Sequence, residues 1–232
     1  MKPSISIVTP IYNDLPTMVT VLPKLEALAK AHFDRWEIVL LDDASCDDSW
    51  RWAKGYSRGK KRIRLYRHAN NMGIARTYRE LYRRARYDVI VLFSLDGEWD
   101  PFDAIRLAVR LTERKFDIVV GIRRKKVYTL WRAVVSYVYN IVTRLVFRVA
   151  MGDAGSIKAL RRQVVRETPI ISSGVFDEAE RLIRAKKAGY SIGFIHVHHK
   201  RTNKIHRGIR LFQVLEATRD CLRVFISLRR TT

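Results

Sequence analysis

The strongest constraint on this chain is an alternation in its first 121 residues. Short, continuous apolar runs are separated by longer stretches of helical periodicity. "SISIVTP" (Ser4 to Pro10), "WEIVLLDD" (Trp36 to Asp43), "RIRLY" (Arg62 to Tyr66), "YDVIVLFSLD" (Tyr87 to Asp96) and "FDIVVGIR" (Phe116 to Arg123) read as five strands. Between them, Leu15 to Ala31, Gly73 to Arg86 and Pro101 to Lys115 read as helices; the first has Leu15, Met18, Val19, Leu22, Leu25 and Leu28 at helical spacing. In "SCDDSW", Ser45 or Asp47 is expected to cap a further helix, with Asp47 and Asp48 in its first turn. Strands that are apolar on both faces and alternate with helices predict an α/β fold with a mostly parallel central sheet flanked by helices. In such sheets ligands bind at the carboxyl ends of the strands.

The second half changes character. Trp131, Val134, Val135, Val138, Ile141, Val142, Leu145 and Val149 form an apolar stripe at helical spacing. "DEAERLIRAKKAGY" predicts a helix ending at Gly189, "SIGFIHVHH" a strand, and Ile209 to Leu228 a final amphipathic helix with Phe212, Leu215, Leu222 and Phe225 on one side. No internal repeat or low-complexity linker interrupts the 232 residues, which read as a single domain.

Charge narrows the partners. The chain carries 45 Lys+Arg against 23 Asp+Glu, and residues 121–232 alone hold 24 against 7. A basic second half predicts an anionic partner there, either nucleic acid or an anionic membrane. With 47% hydrophobic residues the chain is a globular protein and not a basic tail. Two cysteines, Cys46 and Cys221, provide no disulfide framework and fit a reducing compartment. "MKPSISIVTP" lacks the apolar core of a signal peptide, so none is expected. No run reaches the roughly 18 apolar residues of a membrane span. The nearest, Trp131 to Val149, is interrupted by Arg132, Arg144 and Arg148.

Within this basic chain two carboxylate groups fall at strand ends: Asp42 and Asp43 after "IVLL", and Asp96, Glu98 and Asp100 after "VIVLF". Two carboxylates ~5 Å apart at an effective dielectric of about 20 repel by ~3 kcal/mol. A divalent cation with oxygen ligands relieves that repulsion and could bridge a diphosphate. A competing reading applies to Asp100: followed by Pro101, it is a good helix cap.

"VTPIYND" (Val8 to Asp14), "VLLDDASCDDSW" (Val39 to Trp50), "NMG" (Asn71 to Gly73) and "LDGEWDP" (Leu95 to Pro101) occur in that order. Together they resemble the family 2 glycosyltransferases of the GT-A fold. The nearest subgroup is the dolichol- or polyprenyl-phosphate sugar transferases, among them dolichol-phosphate mannose synthase. The resemblance implies a GT-A, Rossmann-like sheet with C-terminal amphipathic helices. Residues 1–125 would be the nucleotide-sugar-binding half. Residues 126–232 would be the acceptor-binding half, with helices suited to a membrane interface.

It also implies roles. Pro10, Tyr12 and Asp14 match the first nucleotide-contacting loop. Leu41 and Asp43 match positions that hold the base, where a carboxylate accepts from a ring N–H of uracil or guanine. Asp96, Gly97 and Glu98 match the metal and diphosphate motif, with Glu for the second Asp and Asp100 beside it. Arg123 matches an arginine after the fifth strand, and Arg201 and Arg207 match late basic residues that clamp phosphates. On the acceptor side stand Arg132, Ser136, Asp153, Ser156, Lys158 and Glu180.

The expected activity is inverting, metal-dependent transfer of a sugar from a GDP- or UDP-linked donor to a dolichyl or undecaprenyl phosphate, with Mn²⁺ or Mg²⁺ as cofactor. Asp96, Glu98, Asp100 and Arg123 are the expected catalytic group. The enzyme would sit peripherally on the cytoplasmic face of an anionic membrane, where a membrane-protein partner is possible. A hydroxyl acceptor on a glycan or protein is the alternative, and would need a general base among Asp153, Asp177, Glu178 and Glu180. A nucleic-acid-binding protein is the alternative from another class. Net charge and "RGKKRIRLYRH" support it, but no zinc-finger, RNP or helix-turn-helix signature accompanies them, so no nucleic-acid partner is expected.

Overall fold

The computed structural model describes residues 3–123, 146–149, 152–174, 176–200 and 211–229, with the side chains of 211–214 excepted. The first five strands are β1 (Ile5–Ile11), β2 (Trp36–Asp42), β3 (Ile63–Arg67), β4 (Val89–Leu92) and β5 (Ile118–Arg123). Between them run α1 (Leu15–His32), α2 (Ser49–Ser57), α3 (Ile74–Arg84) and α4 (Pro101–Glu113). Then come β6 (Lys158–Arg161), α5 (Arg162–Glu167), α6 (Asp177–Lys187), β7 (Ile192–Val197) and α7 (Leu211–Arg229).

The seven strands form one sheet in the order β3-β2-β1-β4-β6-β5-β7. All pairs are parallel except those made by β6, which lies antiparallel between β4 and β5. The order reverses direction at the boundary between β1 and β4, the switch point where doubly wound sheets open a ligand crevice.

Both faces of the sheet are covered, and strand alternation sorts the core accordingly. Ile5, Ile7 and Ile11 of β1, with Ile38 and Leu40 of β2, pack with Met18, Leu22 and Leu25 of α1 and Leu107 and Leu111 of α4. Val8, Val39 and Leu41 face the other way, toward Leu81 and Tyr82 of α3 and Leu182 and Ile183 of α6. Every residue of β1 and β2 is buried, which is why both strands read as unbroken apolar runs.

The structure departs from the sequence reading in α2 and α7 and adds two elements. α2 begins at Ser49, so Asp47 and Asp48 precede it; the Ser49 N–H donates to Asp47 Oδ1 at 2.9 Å. β6 and α5 carry no sequence signal of their own. In α7, Leu215, Leu222 and Ile226 are exposed, while Val224 and Ala217 are buried and Phe225 packs against the core. Leu215 and Leu222, expected on one side with Phe225, thus point outward while Phe225 turns toward the core. Most of the Trp131 to Val149 stripe lies outside the described residues. Its end, Phe147 and Val149, is buried, and the Phe147 ring meets those of Phe176 and Phe225 at 6.2 and 6.3 Å.

Two arginines of the basic segment "RGKKRIRLYRH" are engaged by buried carboxylates, while Arg58, Lys61 and Arg62 are exposed. Arg64 on β3 pairs with the buried Glu37 at 3.0 Å, and Arg67 with the buried Asp42 at 3.1 Å. Among the described residues no helix is long and apolar enough to cross a membrane. Cys46 and Cys221 are free thiols.

Candidate active site

Parallel pairing brings the carboxyl ends of β1, β2, β3, β4, β5 and β7 to one edge. The antiparallel β6 begins at that same edge, since Lys158 is opposite both Leu92 and Val120. The loops carrying Tyr12–Asp14, Asp43, His68, Asp96–Glu98, Arg123, Asp153–Ser156 and His199 thus converge from segments far apart in sequence.

The loop after β1 is latched to the loop after β2. Asn13 takes a left-handed backbone (φ 52°), and its side-chain oxygen accepts from the Cys46 N–H at 2.8 Å. The Asn13 N–H donates to Ser45 Oγ and the Asp14 N–H to Ser49 Oγ, both at 3.0 Å. Asp14 Oδ2 accepts from the Tyr12 N–H at 3.1 Å, which leaves the Tyr12 ring 46% exposed at the mouth of the edge. Pro10 pairs with Leu41 across β1 and β2.

Asp43 is almost fully engaged. Its Oδ1 faces His68 Nδ1 at 2.7 Å and accepts from the Met72 N–H at 2.8 Å, while its Oδ2 accepts from the Gly73 N–H at 2.9 Å. A carboxylate has about four lone-pair sites, so one remains, on Oδ2. Asp42, one residue earlier, is fully buried. Its Oδ2 accepts from the Ser45 N–H and Arg67 Nε, and its Oδ1 has no hydrogen-bond partner.

The turn after β4 is built by Gly97, whose φ of 78° suits glycine, and by the Glu98 N–H donating to Asp96 Oδ1 at 3.0 Å. Burial raises the pKa of Asp96, and the Glu98 charge adds to the rise. The backbone around Glu98 is tied to the segment after β7: the Lys200 N–H donates to the Glu98 carbonyl at 2.7 Å, and Trp99 bridges His199. His199 Nε2 lies 3.3 Å from Glu98 Oε2, and its ring meets Trp99 edge-on at 4.9 Å. His199 was not anticipated from sequence, because "HVHH" reads there as the end of a strand.

Asp100 takes up the helix-cap position that its place before Pro101 allows. Its extended backbone turns the side chain onto α4, where Oδ1 accepts from the Phe102 N–H at 2.9 Å. Among the described residues no three His, Cys, Asp or Glu side chains are gathered to hold a metal by themselves. The residues that fit a divalent cation are Asp96 and Glu98: two oxygen donors, one desolvated and repelled by the other, with the remaining positions left to a ligand's oxygens.

Arg123, at the end of β5, makes a two-pronged ion pair with Asp153 (Nε to Oδ2 2.5 Å, Nη2 to Oδ1 2.7 Å), and its guanidinium lies 5.7 Å from the Trp99 ring centre. Ser156 is buried, with no hydrogen bond to its hydroxyl.

Two of the acceptor-side candidates, Lys158 and Glu180, are engaged by groups within the fold. Lys158 is wholly buried; its Nζ donates to Glu178 Oε2 at 2.6 Å and to the Ala154 carbonyl at 2.7 Å, so it is consumed inside the fold. Glu180 accepts from the Ile171 and Ser172 N–H groups and from Ser172 Oγ, and pairs with Arg184 at 2.5 Å, holding the turn before α6. Arg132, Ser136, Arg201 and Arg207 lie outside the described residues.

Behind the edge sits a buried ionic cluster. Glu178 accepts from Lys158 and from Tyr82 Oη (3.1 Å), and lies 3.4 Å from Arg181 Nε. Burial opposes its charge, but Lys158 and Arg181 hold its pKa well below the usual range. Its neighbour Asp177 is pushed the other way, first by burial and then by the Glu178 charge, against opposing pulls from Arg181 and Arg79. Arg79 Nε stands 3.1 Å from Asp177 Oδ2, yet neither carboxylate oxygen of Asp177 makes a hydrogen bond. Burial raises the pKa of the Tyr78 hydroxyl, which also feels the charges of Glu178, Asp96 and Asp177.

A model of the family described as Glycosyl transferase family 2 matches residues 6–168. Among curated proteins the chain is 30% identical over 163 residues to the undecaprenyl-phosphate 4-deoxy-4-formamido-L-arabinose transferase of Pseudomonas savastanoi pv. phaseolicola, covering 69% of this chain and 48% of that protein. It is 27% identical over 221 residues to the dodecaprenyl-phosphate galacturonate synthase of Rhizobium johnstonii, covering 91% and 64%. The chain thus spans about half to two thirds of the length of these relatives. Among solved structures, glucosyl-3-phosphoglycerate synthase from Mycobacterium tuberculosis, in complex with Mn²⁺, uridine diphosphate and phosphoglyceric acid, superposes with a TM-score of 0.73. That match is 17% identical and covers 96% of this chain and 78% of that one, a likeness of fold.

Proposed function

The chain belongs to glycosyl transferase family 2, and on that premise we propose that it transfers a sugar, with inversion, from a nucleoside-diphosphate sugar to a polyprenyl phosphate. The observation that carries this reading is the Asp96–Gly97–Glu98 turn, set on the same sheet edge as Asp43 and the Tyr12–Asp14 loop. The names of the relatives, both polyprenyl-phosphate sugar transferases, support the acceptor class.

In this reading Asp43 accepts from a ring N–H of the base through the lone pair left on Oδ2, and the exposed Tyr12 ring lies beside the nucleoside. Asp96 and Glu98 hold Mn²⁺ or Mg²⁺. When bound, the cation supplies charge stabilisation to the departing diphosphate. Arg123, held in place by Asp153, adds a fixed positive group at the same edge. Arg201 and Arg207 are proposed to clamp phosphates from the segment after β7. A lipid monophosphate is already anionic near neutral pH, so its attack needs positioning and positive charge more than a general base.

The lipid acceptor implies work at a membrane surface. The outer face of α7 presents Leu215, Leu222 and Ile226 (64%, 58% and 51% exposed), with Arg219 and Arg223 beside them. An apolar stripe with basic flanks suits an anionic interface. We place the protein peripherally on the cytoplasmic face, where a membrane-protein partner would present the lipid.

A second reading, a hydroxyl acceptor, is favoured by one observation. All four carboxylates considered as a general base lie in ion pairs, but Asp177, 3.1 Å from Arg79 Nε, differs in that neither of its oxygens makes a hydrogen bond and its pKa is raised. The test is transfer of radiolabelled sugar from UDP- and GDP-sugars to undecaprenyl phosphate, compared with soluble sugar acceptors. Labelled lipid in the organic phase supports the first reading. Label only on soluble acceptors, lost in Asp177→Asn, supports the second.

A further inference from the structure

His68 follows β3 at the same sheet edge, and neither the metal turn nor the acceptor side uses it. Its side chain is 10% exposed and lies between two carboxylates. Nδ1 is 2.7 Å from Asp43 Oδ1 and Nε2 is 3.0 Å from Glu80 Oε2. Glu80 is itself clamped by Arg84 through two contacts of 2.9 and 2.5 Å, and Arg84 lies over the Tyr66 ring. The His68 N–H donates to the Asp42 carbonyl at 2.8 Å, so its backbone is fixed to the end of β2 as well.

A histidine donating to carboxylates from both ring nitrogens is an imidazolium. Burial disfavours that charge, but the hydrogen bonds that His68 donates to Asp43 and Glu80 outweigh it and raise the pKa of His68. The outcome is a rigid chain, Arg84–Glu80–His68–Asp43, that joins α3 to the loop after β2. It complements the Met72 and Gly73 N–H groups, which grip Asp43 from the start of α3. Three donors arrive at Asp43 from fixed directions and leave a single lone pair whose direction is set by the other three.

We propose that His68 is the positioning residue that sets base selectivity at the donor site: by bridging Asp43 and Glu80 it aims the remaining Asp43 lone pair at a ring N–H. Uracil N3 and guanine N1 carry such a hydrogen. Cytosine N3 carries a lone pair in its place, which a carboxylate repels. The proposal rests on the reading of Asp43 as the base-contacting carboxylate.

The test is calorimetric binding of UDP, GDP and CDP, and of inorganic pyrophosphate, each with Mg²⁺ or Mn²⁺, to wild type, His68→Ala and His68→Gln. Wild type is expected to favour UDP or GDP over CDP. His68→Ala should reduce that preference by about tenfold, the loss of roughly one hydrogen bond to a charged group, and leave pyrophosphate affinity unchanged. His68→Gln, whose amide supplies one donor, should recover part of the preference, and it carries the comparison alone if His68→Ala does not fold. An unchanged UDP-to-CDP or GDP-to-CDP ratio in the folded variants overturns the proposal. Equal loss of nucleotide and pyrophosphate binding also overturns it, because the role would then be structural. If wild type binds nucleotides with no preference against CDP, the base reading of Asp43 fails and the proposal with it. If it binds no nucleotide, the donor site itself is misassigned.

Discussion

Lys158 and Glu178 meet at 2.6 Å in the interior, one from β6 and the other from α6, with both side chains almost wholly removed from solvent. This pair explains how a four-residue strand flanked by charge is held in the middle of the sheet. The lysine that begins β6 neutralises a carboxylate that α6 buries against it. Removing one partner leaves the other charge buried without compensation, and Lys158→Met is expected to destabilise the fold by about 3–5 kcal/mol. Urea unfolding measures it. By contrast, Arg51→Ala, at the exposed pair with Asp48, should leave the midpoint where it is.

Asp177 gives a pH signature. Its pKa is raised to about 8 by burial and by Glu178, whereas in the unfolded chain it returns to the ordinary carboxylate range. Between about pH 4 and 8 the folded protein therefore holds a proton that the unfolded chain has released, and stability falls as pH rises through that window. Asp177→Asn has no such proton. Its melting temperature relative to wild type should climb from pH 6 to pH 8.5. His68 loses stabilisation over part of the same range in both proteins, so the difference between them isolates Asp177. A constant difference would mean that Asp177 is ionised throughout.

Asp96 and Asp100, four residues apart, should separate cleanly. Asp100→Ala removes a helix cap and is expected to cost about 1 kcal/mol of stability, with metal-dependent nucleotide binding kept. Asp96→Ala should keep the fold and lose transfer by at least about 100-fold. Loss of metal dependence in Asp100→Ala would return that residue to the metal site.

The outer face of α7 should bind lipid. Flotation with vesicles containing anionic lipid is expected to carry wild type upward. Leu222→Glu should weaken this, and added salt should weaken it further, since each arginine near the surface contributes about 1 kcal/mol. Undiminished flotation in Leu215→Glu/Leu222→Glu would place the membrane contact elsewhere.

The parallel core was legible because residues such as Ile7, Val8, Val39 and Leu40 are apolar on both faces, and that pattern has few other solutions. The carboxylates at strand ends were legible for the same reason, since strand direction decides where they emerge. β6 was not: "KALR" is short and begins and ends in charge, and only Glu178, twenty residues onward, makes Lys158 a core residue. His68 and His199 were equally hidden, because each acquires its partners from another segment of the chain. For α7, helical periodicity yields two stripes, and only docking decides that Val224 goes inward and Leu222 outward. For Asp100 sequence offers both cap and ligand, and the backbone directs one carboxylate oxygen to the cap.

The proposed function depends on a metal-assisted nucleoside diphosphate site at the carboxyl edge of β1, β2 and β4. Thermal unfolding with UDP and with GDP, each with and without Mn²⁺, tests it most directly, in wild type and in Asp96→Ala. A ligand at 100 times its dissociation constant adds about 2.7 kcal/mol to stability. An upward shift is expected with at least one diphosphate, dependent on Mn²⁺ and lost in Asp96→Ala. No shift with either nucleotide, or a full shift retained in Asp96→Ala, would contradict it.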